Sequence, residues 1–178
     1  MEFVETELSG LFILKPKIFN DNRGSFIKTF NSDIFEQNNL IYDFKECYYS
    51  TSQKDVIRGM HFQNPPKDHI KLVYVPYGRI IDVILDIRKN SKTYGKFISL
   101  NLSSENGFSV YIPSGFAHGF ISLEDGTIVT YMQTSTHSPA HDNGIKYDSF
   151  GMNWNLDLPI LSNRDLSFID FDNFESPF

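Results

Sequence analysis

Cysteine is nearly absent from this chain of 178 residues: Cys47 stands alone, so no intrachain disulfide can form. That fits a reducing compartment such as the cytoplasm. Positive charge is in deficit, with Lys+Arg 16 against Asp+Glu 22 and a formal net charge of -6. A general nucleic-acid binder needs a basic surface to displace counterions, so that class is excluded. A phosphorylated small molecule is not, because a pocket can be locally basic on an acidic protein. Long apolar runs are missing too. The run Leu11 to Leu14 is too short for a signal core or a membrane span, and the first ten residues carry acids where a signal peptide carries bases. A soluble cytoplasmic protein with no membrane partner is expected. No repeat, low-complexity run or linker interrupts it, so residues 1–178 read as one domain with a substantial core.

Aromatic residues are plentiful, with 17 Phe and 9 Tyr, which suits β-structure and a pocket with flat walls. Short β-patterned segments recur at Lys45–Ser50, Val56–Phe62, His69–Val75, Arg79–Arg88, Lys96–Leu102, Phe108–Ile112, Ala117–Leu123 and Thr127–Thr134. Gly, Pro and Asn clusters punctuate them, a spacing that predicts an all-β antiparallel sandwich or barrel. One short helix is predicted over Ile34–Asn39, capped by Ser32 or Asp33. Beyond Ser149 the pattern fades into a tail with short helices at most. Strand side chains i and i+2 share a face. Alternation therefore groups His61 with Ile57, Gly59 and Gln63, and Lys71 with His69, Val73 and Val75. It groups His118 with Phe120 and Ser122, and Tyr131 with Val129 and Gln133. Polar groups on inward faces of four strand segments suggest a pocket with convergent polar groups.

The stretch Gly107–His118 reads G-x5-P-x-G-x2-H and resembles the second motif of the cupin superfamily, whose histidine often binds metal. The companion motif of that superfamily supplies two histidines and a glutamate. Here the glutamate position is Lys71, and no HxH precedes it. An ammonium repels a divalent cation and offers no lone pair, so neither a metal nor another cofactor is expected. A three-histidine site from His61, His69 and His118, as in a metal cupin oxygenase, is the alternative. His69 otherwise reads, with His141, as a surface or supporting residue.

Further stretches carry a closer resemblance. They are Asp21 through Phe26, Arg58-Gly59-Met60-His61-Phe62-Gln63 with Pro65-Pro66, Lys71-Leu72-Val73, Gly78 through Arg88, Ile112 through Phe120, Tyr131, and Leu161 through Asp165. In this order and spacing, over about residues 12 to 167, the chain resembles the dTDP-4-dehydrorhamnose 3,5-epimerase family of cupin-type barrels. The resemblance implies epimerisation at C3, C5 or both, beside the C4 ketone of a nucleotide-diphosphate sugar, for surface polysaccharide synthesis. A sugar-nucleotide 3,4-ketoisomerase and a non-catalytic binder are the competing readings. It implies His61 as general base, Asp165 as the carboxylate paired with it, Lys71 as the cation at the ketone oxygen and Tyr131 as proton donor. It also implies substrate contacts from Arg23, Arg58, Gln63 and His118. Family members are homodimers with an exchanged N-terminal strand, so Arg23 is expected to serve the neighbouring site.

The chemistry explains these residue types. Removing a hydrogen beside a ketone gives an enolate, whose oxygen charge needs a preorganised cation. Histidine has the pKa suited to a base near neutrality, and inversion needs an acid on the opposite face. The phenol of Tyr131 is expected to be acidified by neighbouring cations. Departures from the family pattern fall at Lys28, at Glu46 and Tyr48 beside the retained Ser50, at His137, at Asp142 and at Arg164. The resemblance places Lys28, Glu46, Tyr48, Ser50 and His137 at the nucleotide end of the ligand. Glu46 could accept from guanine N1–H and the exocyclic amine, so a GDP-linked 4-keto hexose or heptose stands beside the dTDP sugar as substrate.

Overall fold

The computed structural model describes all of residues 1–178. Four short strands come first: β1 (Glu2–Glu5), β2 (Phe12–Lys15), β3 (Ile18–Asp21) and β4 (Gly24–Ile27). Helix α1 (Ser32–Gln37) leads into β5 (Glu46–Ser52), β6 (Ile57–Gln63), β7 (Lys71–Tyr77) and β8 (Arg79–Asp86). Then come β9 (Phe97–Ser103), β10 (Ser109–Ile112), β11 (Phe116–Ser122), β12 (Thr127–Gln133) and β13 (Asp142–Gly144). Helix α2 (Asn163–Leu166) and a 3-10 turn at Phe171–Asn173 lie in the tail.

The strands form an antiparallel, cupin-type barrel of two facing sheets, in the orders β1-β2-β10-β7-β12-β5 and β13-β6-β11-β8-β9. Valines and isoleucines at alternate positions fill the space between them. Val73, Val75, Val110, Ile112 and Val129 of one sheet meet Ile80, Ile84, Leu102, Phe116 and Phe120 of the other. Each fully buried side chain of this size contributes roughly 1.5–3 kcal/mol. The outer face of the second sheet is covered by the tail, where Phe150 and Trp154 pack on Ile57, Met60, Val83 and Ile121. Phe35 of α1 does the same for the first sheet, against Leu14, Leu72 and Tyr111. The hairpin β3–β4 is a separate two-stranded sheet. No helix is long and apolar enough to cross a membrane.

Two local expectations are corrected. The helix begins earlier than Ile34, because Asn31 is its cap: its side-chain oxygen accepts from the Ile34 N–H at 3.1 Å. The face assignment of His61 holds for Gln63 and fails for Ile57. The pairing of β6 with β11 runs His118↔His61 and then Phe120↔Arg58, a register shift of one residue. Such a bulge reverses parity along the strand. Ile57 therefore packs outward with Met60 and Phe62, while Arg58, His61 and Gln63 share the pocket. Gly59, at φ 141, lies against Gly119 where a side chain has no room, which is what the bulge requires of the sequence.

Candidate active site

Strands of both sheets line a cavity of about 370 Å³, a size suited to a small-molecule ligand. Strand β6 contributes Arg58, His61 and Gln63; β7 contributes Lys71; β11 contributes His118; β12 contributes Tyr131. The edge strand β5 adds Glu46, Tyr48 and Ser50, and the loop after β12, strand β13 and helix α2 add His137, Asp142 and Arg164. Arg23 and Lys28 are not brought there by their own chain. Arg23, at the tip of the β3–β4 hairpin, is exposed and paired with Asp21 of the same hairpin at 2.5 Å.

His61 is oriented from behind. Its Nε2 lies 2.9 Å from Oδ1 of Asp165, which is only 3% exposed. The other carboxylate oxygen accepts from the Gly59 N–H at 3.1 Å, and Ser162 caps α2 by accepting from the Asp165 N–H. A carboxylate on Nε2 fixes the proton there and leaves Nδ1 with the lone pair. Burial lowers the imidazole pKa below 6.5 despite the opposing pull of Asp165. Asp165 is itself held low; its hydrogen bonds and the charge of His61 outweigh desolvation, which acts the other way. Gly144 leaves room for Phe168, whose ring packs edge-on against His61.

Lys71 is 7% exposed and donates to the His61 carbonyl oxygen at 3.2 Å, which leaves it donors for a ligand. Burial lowers its pKa to about 8. Tyr131 corrects an expectation. Its phenol pKa is raised, not lowered, because desolvation dominates and the charge of Arg58 offsets only part of it. The ring stacks on Tyr48, with centroids 4.8 Å apart, and its hydroxyl lies 3.3 Å from Oγ of Ser50.

Several residues hold others in place. Gln63 spends its amide on the protein: its NH2 group donates to Lys67 O and His69 Nδ1, and its oxygen accepts from the Ser138 N–H. Glu46 accepts from the His137 N–H at 2.7 Å, and Arg164 pairs with Asp142 at 2.7 Å. Arg58 is anchored to β5 through Ser52 Oγ and Thr51 O.

Sequence reasoning missed two lining or supporting groups, Asp82 and Gln133, and read a third, His69, as surface or supporting. Asp82 is fully buried and bonded to Nε2 of His118 at 2.6 Å, a second imidazole–carboxylate pair. A carboxylate between Ile80 and Ile84 on an inward face was the available signal. His69 is buried rather than on the surface and lines the cavity beside Lys71, with its pKa lowered to about 3 by burial. Gln133 follows Tyr131 on the same face and donates to the Tyr48 hydroxyl at 2.7 Å. No group of three or more His, Cys, Asp or Glu side chains is gathered to hold a metal ion. The Nε2 atoms of His61 and His118 each face a carboxylate instead.

The roles that the resemblance implies for His61 and Lys71 predict a pH profile. The value of kcat/KM reports ionisations of the free enzyme. A base with a lone pair on Nδ1 is lost as pH falls through the depressed His61 value, so the acid limb lies below 6.5. A cationic Lys71 is lost as pH rises past about 8. A bell between those limits is expected, and Lys71→Arg should remove the alkaline limb. A wild-type profile flat from pH 7 to 10 would contradict the part given to Lys71.

Fold and cavity together define the class: a cupin-type barrel with a polar small-molecule site lined by strands of both sheets. A family profile described as dTDP-4-dehydrorhamnose 3,5-epimerase matches residues 5–173. The chain belongs to this family. It is 43% identical over 168 residues to the dTDP-4-dehydrorhamnose 3,5-epimerase of Methanothermobacter thermautotrophicus, covering 92% of this chain and 90% of that protein. The Bacillus anthracis epimerase, solved with TDP and pyrophosphate bound, superposes with a TM-score of 0.92 at 35% identity, covering 95% of this chain and 98% of that one. The Legionella pneumophila enzyme, solved in complex with dTDP-4-keto-L-rhamnose, gives 0.92 at 34% identity, with 98% and 94% covered.

Proposed function

We propose that this protein inverts C3, C5 or both beside the C4 ketone of a dTDP-linked 4-keto-6-deoxy sugar. The observation that carries the reading is the tautomer imposed on His61: Asp165 occupies Nε2, so the basic Nδ1 is left for the cavity that also holds Tyr131 and Lys71. His61 takes the proton from carbon. Lys71 holds the oxygen of the resulting enolate, and low solvent access strengthens that attraction. Tyr131, protonated at the start of each inversion because burial raises its pKa, returns a proton to the opposite face. Arg58 supplies charge for the diphosphate.

Incubation with dTDP-4-keto-6-deoxyglucose in heavy water tests this. Deuterium at C3, at C5 or at both, with inverted configuration in the NMR spectrum of the product, is expected. A product with its carbonyl moved to C3 would make the protein a ketoisomerase, and binding without exchange would make it a binder. A second reading concerns the nucleotide. One oxygen of Glu46 accepts from the His137 N–H, and the lone pairs left on the two oxygens can accept from N–H donors such as those of guanine. Turnover of the dTDP sugar with none of a GDP-4-keto sugar ends that reading.

The hairpin β3–β4 supports a homodimer with an exchanged N-terminal segment. Its Phe19 and Phe26 are 51% and 61% exposed, and Arg23 at its tip lies outside the pocket of its own chain. Arg23 then reaches the neighbouring site. A monomer in sedimentation analysis would contradict this arrangement. The exposed thiol of Cys47 supports a reducing, cytoplasmic setting.

A further inference from the structure

Each inversion carries a proton across the ring, so His61 ends with one more and Tyr131 with one fewer. Both must reset before the next inversion. His61 has an outlet, since its side chain is 27% exposed. Tyr131 is 7% exposed, with Tyr48 stacked on its ring and His118 edge-on at 6.1 Å. While a ligand fills the cavity, the phenolate can be reloaded only through a group that touches its oxygen.

That group is Ser50. Its Oγ lies 3.3 Å from the Tyr131 hydroxyl, and either atom can be the donor. Ser50 is half-buried at the wall of the cavity on β5, the edge strand of its sheet. Resting on the base-and-acid reading above, we infer that Ser50 relays a proton from water to Tyr131 between inversions. In that step the Ser50 O–H bond breaks as its proton joins the phenolate oxygen. A water O–H bond breaks as its proton joins Oγ. The hydroxide left behind is neutralised by the proton that His61 releases to solvent. The net change is one proton moved from imidazolium to phenolate. A hydroxyl has the one donor and the lone pairs this exchange needs, and either hydroxyl can be the donor across the 3.3 Å contact, so its direction reverses by rotation of the two O–H groups. The high proton affinity of the buried phenolate drives the transfer.

Ser50 acts through Tyr131, so the test compares the first inversion with those that follow. Ser50→Ala, Ser50→Thr and wild type are given the dTDP-4-keto sugar in heavy water, once with enzyme in excess and once at steady state. For Ser50→Ala the steady-state rate should fall about tenfold or more relative to its own first inversion, a smaller loss than the roughly 10²–10⁴-fold expected for removing the acid. The time course then shows a burst. Ser50→Thr, which restores the hydroxyl, should run without one. An unchanged steady state in Ser50→Ala, or equal slowing of first and later inversions, overturns the relay. A wild-type enzyme that neither exchanges nor inverts would overturn the function itself, whereas failure of the relay alone leaves wild-type turnover intact.

Discussion

Tyr131→Phe should separate two events that wild type performs together. Inversion is expected to fall by roughly 10²–10⁴-fold, the usual contribution of a positioned acid, while exchange of the carbon-bound hydrogen with solvent persists. The reason is positional. His61 and Lys71 are untouched, so the enolate still forms and His61 can return a deuteron to the face it left. Only the opposite face loses its donor. Phe keeps the stack on Tyr48 and the edge contact with His118. The one hydrogen bond lost is the 3.3 Å contact with Ser50, so the melting temperature should barely move. NMR in heavy water reads both quantities: deuterium appearing in substrate of unchanged configuration, with little inverted product. Inversion at the wild-type rate would remove Tyr131 from the mechanism.

His61→Asn should abolish both events. Without the Nδ1 lone pair no enolate forms, so exchange and inversion fall together, again by roughly 10²–10⁴-fold. This variant also disturbs the protein more. Asp165 is buried and loses its partner at 2.9 Å, keeping the Gly59 N–H. A buried group left short of a partner costs about 1–3 kcal/mol. Thermal unfolding should register that loss, and circular dichroism should show the barrel retained. Persistent exchange in this variant would mean that another group, such as His118 or His69, is the base.

The contrast between these variants rests on features that differ in how far the sequence revealed them. The eight central strands are legible because alternation and turn residues mark them, and their ends fall within two residues of expectation. Strands β1 to β4 and β13 escaped because three or four residues barely register alternation; β10 is as short but stands between the turn clusters Ser104–Gly107 and Pro113–Gly115. The bulge before His61 was invisible for a different reason: parity counting assumes an unbroken ladder, and Gly59 and Gly119 become informative only when their backbones are seen to touch.

The pocket itself was largely readable. His61, Lys71, Tyr131, Arg58, His118, Glu46, Tyr48, Ser50, His137, Asp142 and Arg164 all line it, and Asp165 stands behind His61 as the resemblance implied. What could not be read was environment. The rise in the Tyr131 pKa comes from burial by neighbours on other strands, and the sequence shows cations without showing their distance. Gln63 lines the pocket with the others, but the sequence did not show that its amide is also bonded to the loops that carry Lys67, His69 and Ser138. Asp82 gave a signal, a charge on an inward face, that was not converted into the His118 pairing it makes.

Crystallography of the protein with a dTDP-linked 4-keto sugar, or a stable analogue, examines the arrangement most directly. The hexose should sit with Nδ1 of His61 against one face, the Tyr131 hydroxyl against the other, and Nζ of Lys71 on the C4 oxygen. A ring bound with both side chains on the same face, or bound beyond reach of His61, would contradict the account.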